Sequence, residues 1–183
     1  MSKARDFFEV SIRDAEDLLD HFDKQVKPPP RNAEVLKRAG LIMALTAWET
    51  FVEDRVQEEV MRNPQVVEGS LTGKFMQAKL EEELKRFHNP ASDKTRKLFQ
   101  DYLGLDVTPH WKWPGYDPAA AKKKLDELLG KRGDIVHRSK VPDAGGPSKP
   151  HPVKRDDLET AIRFLKSLVE ATDRALPSGA TAN

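Results

Sequence analysis

The segment that decides the fold runs from Asn32 to Arg62 and reads NAEVLKRAGLIMALTAWETFVEDRVQEEVMR. Its apolar residues recur at every third or fourth position, which is the spacing of one face of an α-helix. These residues are Val35, Ala39, Ile42, Leu45, Trp48, Val52, Val56 and Val60. Three consecutive prolines precede the segment and an Asn-Pro pair follows it, and proline cannot continue a helix. The sequence therefore predicts one long helix over Asn32–Arg62.

The same helical spacing recurs between breaks in the rest of the chain, and it predicts five further helices. They cover Lys3–Lys24, Leu71–Phe87, Ser92–Leu103, Pro118 to Gly130 (where the helix either ends or resumes through His137) and Arg155–Leu176. In the first helix, Phe7 and Phe8 both fall on apolar positions. No segment alternates apolar and polar residues between turn signals, as a half-buried strand would. We therefore expect an all-α fold, an up-and-down bundle of four main helices with one or two short extra helices.

Length and composition indicate one helical domain. The chain has 183 residues, 38% of them apolar and 33% charged. We expect a domain over residues 1–176 and a small, polar, disordered tail over 177–183. No apolar run reaches membrane-spanning length, and charges interrupt the N-terminal segment throughout, unlike a signal peptide. The lack of cysteine excludes disulfides and thiolate sites, and it suits a reducing cytoplasm, the expected location.

A second informative stretch, Lys124–Lys140, reads KLDELLGKRGDIVHRSK. It begins as an amphipathic helix and then carries an Arg-x4-His motif, Arg132 and His137, with glycines two residues before and one residue after the arginine. The twenty residues up to Lys140 contain seven lysines and arginines against three acidic residues, although the whole chain has a net charge of only +1. Such a local basic patch can bind phosphate. The alternative interpretation is a basic helix end that complements the helix dipole.

Other classes of site are not indicated. None of the five histidines pairs with a second histidine or a carboxylate at zinc-protease spacing. No glycine-rich phosphate loop follows a strand, and no serine lies in a nucleophile elbow. We therefore expect neither a metal site nor a cofactor.

The Arg-x4-His motif resembles the signature of the HEPN superfamily (higher eukaryotes and prokaryotes nucleotide-binding domains). The stretch LTAWETFVEDRV, Leu45–Val56, is similar to the Trp-Glu segment of its RiboL-PSP-type branch, which occurs among bacterial toxin and defence proteins. The order of the two features along the helices also agrees, and the resemblance covers Lys3–Leu176. One departure is Gly133 directly after Arg132, where many members have Asn or Asp; here Asp134 follows one position later.

The resemblance implies a metal-independent endoribonuclease that acts on RNA as a homodimer. It also implies the toxin of a toxin–antitoxin or defence system, with an antitoxin or regulatory protein as a further partner. Arg132 and His137 would be its catalytic residues, and Glu49 is expected, by analogy with the Trp-Glu segment, to reach Arg132. The alternative is a catalytically silent HEPN module that binds RNA, a nucleotide or a protein partner, and a plain helical scaffold is a third.

The two motif residues have the chemistry that metal-free RNA cleavage requires. Histidine exchanges protons near neutral pH, and arginine keeps its charge and offers paired donors to phosphate oxygens. Asp134 is either a support for the His137 imidazole or an exposed aspartate. The cations expected to bind the RNA backbone are Lys131, Arg138 and Lys140.

The spacing of the motif affects how its residues can meet a substrate. Positions five apart on an ideal helix point roughly 140° away from each other. Gly130 and Gly133 could relax the helix, since a glycine in a helix costs about 1 kcal/mol relative to alanine. A two-fold dimer would instead bring Arg132 and His137 of both chains into one shared cleft. The expected assembly is therefore a two-fold dimer.

Overall fold

The long helix predicted first is the central helix of the fold. The computed structural model describes residues 1–137 and 153–176, apart from the side chains of Gln65 and His137. The α-helices in this part of the chain are α1 Lys3–Asp23, α2 Glu34–Met61, α3 Pro64–Val67, α4 Leu71–Leu84, α5 Ser92–Leu103, α6 Pro118–His137 and α7 Arg155–Ala175. Short 3-10 turns cover Arg31–Ala33 and Thr108–His110, and no strand occurs among the described residues. The predicted all-α fold is confirmed, with four helices of at least 20 residues: α1, α2, α6 and α7.

Most predicted helix ends agree with the structure because prolines and caps mark them. α5 has the predicted bounds, and α4 ends three residues earlier than expected. α6 begins where Asp117 Oδ1 accepts a hydrogen bond from the Ala120 amide at 2.7 Å, and it continues without interruption to His137. The prediction missed the single-turn helix α3, which has Pro64 at the first helical position. Proline is tolerated there because the N–H group at this position has no intrahelical partner in any helix.

Two helices distant in sequence, α2 and α7, run parallel and very close together. A Cβ atom added to Gly40 near the start of α2 would lie 2.8 Å from the Leu158 side chain near the start of α7. Toward the other end, Arg55 of α2 binds Asp173 of α7. Glycine at position 40 therefore allows this close approach, since a larger residue would have to displace the Leu158 side chain.

The other two long helices run in the opposite direction. Near the start of α1, the Ala4 amide donates to Glu58, close to the end of α2, at 3.3 Å. Near the end of α6, Lys131 Nζ lies 3.7 Å from Asp157 at the start of α7. The chain order α1, α2, α6, α7 therefore alternates in direction, as in an up-and-down bundle.

The core surrounds α2 on most of its circumference. Its buried apolar residues are Leu41, Ala44, Leu45, Ala47, Trp48, Phe51, Val52, Val56 and Val60. They contact α1, α5, α6 and α7, so α2 has no single apolar stripe. The stripe prediction is wrong at Val35, which is exposed in the first turn of α2. It is also wrong at Phe7, because α1 buries the face of Ala4, Phe8, Ile12 and Ala15 instead.

The sequence also made predictions about membrane-spanning helices and about the C-terminal tail. Among the described residues, no helix combines the length and the apolar character that crossing a bilayer requires. The predicted tail, residues 177–183, lies outside the described residues.

A buried ion pair connects the ends of α2 and α7. The Arg55 side chain is 2% exposed, and its Nε donates to Asp173 Oδ1 at 2.8 Å. Its Nη1 binds Glu59, which also accepts from Arg62 Nη1 at 2.7 Å. Removing one carboxylate from this buried group leaves the Arg55 charge only partly compensated, and loss of a partner from a buried ion pair is strongly destabilising. Asp173 is therefore a residue on which the packing of α7 against α2 depends.

We predict that Asp173→Ala lowers the free energy of unfolding by about 3 kcal/mol, because Arg55 stays buried with only one carboxylate partner. For a domain of this size, this corresponds to a melting temperature roughly 6–12 °C lower. Glu170→Ala is the matched control, since Glu170 lies on the same helix in an exposed pair with Arg174. Equal melting temperatures for the two variants, measured by circular dichroism, would contradict the assigned role of the buried pair.

Candidate functional site

The structure brings Glu49 and Arg132 together from two helices that are far apart in sequence. Arg132 Nη1 donates to Glu49 Oε2 at 2.6 Å, across 83 residues of sequence. Glu49 lies in the middle of α2, and Arg132 lies in the last part of α6. The carboxylate side chain is 14% exposed and the arginine side chain 21% exposed. The pair therefore lies at the edge of the core, where its attraction is screened less than in open solvent.

The loop between α4 and α5 contributes the third element of the site. The Asn89 amide donates to Glu49 Oε2 at 3.2 Å, and His88 Nδ1 lies 3.6 Å from Glu49 Oε1. Asn89 has a positive φ of 59°, a conformation that asparagine tolerates better than most residues. Glu49 is thus the common partner of α6 and of the α4–α5 loop. We call Glu49, His88, Asn89 and Arg132 the Glu49 cluster.

Several hydrogen bonds fix the α4–α5 loop in place. The Pro90 carbonyl accepts from Trp48 Nε1 at 3.1 Å and from Thr95 Oγ1 at 3.3 Å. Asp126 of α6 accepts from both the amide and the hydroxyl of Ser92, each at 2.8 Å, and so caps the start of α5. The loop is therefore tied to α2, α5 and α6, and it presents its exposed residues from a defined position.

Arg132 keeps unused hydrogen-bonding capacity. Within the described part of the chain, its guanidinium makes one hydrogen bond, the one from Nη1 to Glu49. A guanidinium has five N–H donors in a planar fork, which matches the oxygens of a phosphate or carboxylate. Glu49 therefore orients Arg132 without occupying most of its donors.

The glycines beside Arg132 do not interrupt α6. The helix is continuous through Gly130 and Gly133, and both have ordinary negative φ angles. A Cβ atom added at either position would have no described atom within 4 Å. α6 therefore runs past both glycines as one helix. In an unbroken helix, Arg132 and His137 leave the axis roughly 140° apart.

The remaining predicted residues differ in where they lie. Lys131 is only partly exposed and lies close to Asp157 of α7, whereas Asp134 is exposed on α6. The backbone of His137 ends α6, and its side chain is outside the described part of the structure, as are Arg138 and Lys140 entirely. The structure thus joins Glu49 to Arg132. The predicted support of His137 by Asp134 and the predicted RNA contacts stay predictions.

The sequence did not indicate His88, Asn89 or Asp126 as part of this region. The available signal was the His-Asn-Pro break at 88–90, which predicts a turn. Nothing in that signal names the helix that the turn contacts. Among the described residues, no three histidine, aspartate or glutamate side chains converge as a set of metal ligands.

A protonatable carboxyl lies one helical turn beyond Glu49. Burial, the charge of Glu49 and the charge of Asp54 raise the pKa of Glu53 to about 7. Burial and Glu58 likewise raise the pKa of Asp54. In unfolded chains a glutamate has its ordinary pKa near 4.5. The folded protein therefore holds this proton more tightly than the unfolded chain between these two pH values.

We predict that Glu53→Gln removes a pH-dependent loss of stability. Because the folded pKa is raised, ionisation of Glu53 destabilises the wild type as the pH rises from 4.5 toward 7, and the loss persists above 7. The variant should melt at a higher temperature than the wild type at pH 8, and the difference should shrink as the pH falls through 7 toward 5. Glu68→Gln, at an exposed position, is the control. Parallel melting profiles for both variants would contradict the prediction.

The comparisons with known proteins agree with the geometry. A family model described as RiboL-PSP-HEPN matches residues 10–178, nearly the whole chain, and the match includes Glu49, Arg132 and His137. The comparisons with curated proteins and with solved structures gave no match. The resemblance that the Trp-Glu segment and the Arg-x4-His motif suggest is thereby confirmed. The chain belongs to the RiboL-PSP-HEPN family of the HEPN superfamily, whose helical modules are nuclease-like or RNA-related.

Proposed function

We propose that this protein is a metal-independent endoribonuclease in which Arg132 and His137 are the catalytic residues. The observation that carries the proposal is the Glu49–Arg132 pair. It holds a partly exposed guanidinium in a fixed orientation, with donors left for a phosphate. Family membership supports RNA as the ligand.

The chemistry requires a base, a cation and an acid. His137 takes the proton from a 2′-hydroxyl, and the 2′-oxygen then attacks the adjacent phosphorus. Arg132 stabilises the additional negative charge on the phosphate oxygens. The bond to the 5′-oxygen breaks, and that oxygen receives a proton from an acid, for which the second His137 of a dimer is suited. The products are a 2′,3′-cyclic phosphate and a 5′-hydroxyl.

Other residues of the site support these steps. Glu49 orients Arg132, and Asp134 is proposed to support the His137 imidazole and fix its tautomer. Lys131, Arg138 and Lys140 bind the RNA backbone, which provides affinity with little sequence information. In a toxin–antitoxin or defence system, the partner that restrains the enzyme would be an antitoxin or regulatory protein.

The second candidate function is a catalytically silent module that binds RNA, a nucleotide or a protein partner. The observation that favours it is Gly133, which stands directly after Arg132 where many members have a polar residue. The cleavage experiment separates the two candidates, because a silent module would bind RNA without changing it.

We predict that Arg132→Ala and His137→Ala each reduce RNA cleavage at least about a hundredfold, since each removes a transition-state contact or a proton-transfer group. Cleavage by the wild type should survive excess EDTA and leave 2′,3′-cyclic phosphate ends. The measurement uses end-labelled RNA with analysis of the product termini.

Matched controls separate chemistry from folding. Arg163→Ala and His110→Ala remove the same side chains from exposed positions of α7 and of the 108–110 turn. Because Arg132→Ala also deprives Glu49 of its cation, Arg132→Lys is included, which keeps the charge but not the planar fork. A strict magnesium requirement, or full cleavage by the Arg132 and His137 variants, would refute the mechanism.

We also predict a two-fold dimer whose axis passes near the last part of α6, because Arg132 and His137 of one uninterrupted helix diverge. Sedimentation should give twice the chain mass, and activity per chain should fall on dilution as the dimer dissociates. A monomer that keeps full activity per chain at nanomolar concentration would contradict the shared cleft.

A further inference from the structure

The α4–α5 loop presents a second histidine beside Arg132. One oxygen of the Glu49 carboxylate binds Arg132 Nη1 at 2.6 Å, and the other lies 3.6 Å from His88 Nδ1. The guanidinium and the imidazole are thus separated by the width of one carboxylate group. An RNA strand with a phosphate at Arg132 can therefore reach His88 with a neighbouring phosphate.

Lys94 of α5 contacts the same loop. Its Nζ donates to the His88 carbonyl at 2.8 Å, and an ammonium group has two further donors. We propose that His88 and Lys94 form a phosphate-binding subsite for RNA next to Arg132, which holds a backbone phosphate flanking the one at the arginine. The choice of RNA as the ligand rests on the proposed function.

The subsite is formed before any ligand arrives. The His88 side chain is 75% exposed, whereas the backbone behind it is fixed by the bonds from Asn89 to Glu49 and from Trp48 to the Pro90 carbonyl. Binding to a fixed loop avoids most of the entropy cost of ordering it. A mobile histidine on an unattached loop would not have this advantage.

The charges around the subsite favour an anion. Glu49, the nearest carboxylate, is neutralised by Arg132, and burial keeps Glu53 partly protonated near neutral pH, with a pKa of about 7. Beyond Lys94, a surface groove between α4 and α5 continues along Lys97. Its acidic residues have partners of their own: Glu82 with Lys79 and Arg86, and Glu83 with the Tyr102 hydroxyl.

Lys97, by contrast, forms no ion pair with any residue that the structure describes. The groove is therefore net positive, since its lining carries four cations and two carboxylates, and it shares Lys94 with the subsite. A polynucleotide backbone is the ligand class that matches a line of separated cations.

The test measures RNA binding apart from cleavage. A fluorescent, fully 2′-O-methylated RNA oligonucleotide cannot be cut by 2′-hydroxyl attack, and its binding is followed by anisotropy. His88→Ala and Lys94→Ala should each weaken binding roughly twofold to fivefold, the scale of an exposed charged contact. Lys94→Ala should also reduce the salt dependence of log K by about one phosphate contact.

Matched controls use the same side chains elsewhere. His110→Ala and Lys24→Ala remove an exposed histidine and an exposed lysine from other elements, and both should bind like the wild type. With cleavable RNA, the His88 and Lys94 variants should raise KM by the same factor and leave kcat within about twofold, as expected for lost ground-state binding.

The outcomes separate this inference from the proposed function. If the wild type cleaves RNA but His88→Ala and Lys94→Ala bind as tightly as the controls, the subsite is wrong and the nuclease stands. If the wild type binds the methylated RNA through His88 and Lys94 but never cleaves RNA, the subsite is supported and the nuclease proposal fails. Unchanged KM with a lowered kcat, or no RNA binding by the wild type, would overturn the subsite.

Discussion

The burial of α2 on most of its circumference is the constraint on which the rest of the structure depends. Its small residues allow very close approach, as at Gly40 against Leu158, and its large ones fill the space between the neighbouring helices. Packing on several sides fixes the orientation of α2 relative to its neighbours. A polar residue of α2 at the edge of the core is therefore held in a defined position. Glu49 is such a residue, and it follows the fully buried Trp48 directly.

Two arginines bind carboxylates at different levels of α2, and the contrast between them distinguishes a structural pair from a site. Arg55 is 2% exposed and binds Asp173 and Glu59, so it has no access to a ligand. Arg132 is 21% exposed and has one carboxylate partner among the described residues. A buried arginine with two carboxylates stabilises packing, provided that the pair stays intact. A partly exposed arginine with one carboxylate is oriented and still able to bind phosphate, which supports a functional role for the Arg-x4-His motif.

The sequence predicted the helices well, because they depend on local signals. It predicted the site only in part, because the site depends on contacts between distant segments. Apolar periodicity and proline breaks are local, so the bounds of α2, α5 and α7 were accessible. Family resemblance suggested that Glu49 reaches Arg132. The partners Asn89 and His88 were not accessible, because a turn signal does not reveal which helix the turn contacts. Val35 was misassigned because periodicity does not show where a buried helix emerges into solvent.

The glycines of α6 remain the least expected feature for a single chain. Each costs about 1 kcal/mol of helix stability relative to alanine. At Gly40 packing accounts for the glycine, because an added Cβ would lie 2.8 Å from the Leu158 side chain. At Gly130 and Gly133 an added Cβ would meet no described atom within 4 Å, and α6 continues through both positions. The packing of the described residues therefore does not account for glycine at these positions. A ligand or a second copy that approaches the helix backbone beside Arg132 would supply the missing reason, and the proposed shared cleft would place both at this surface.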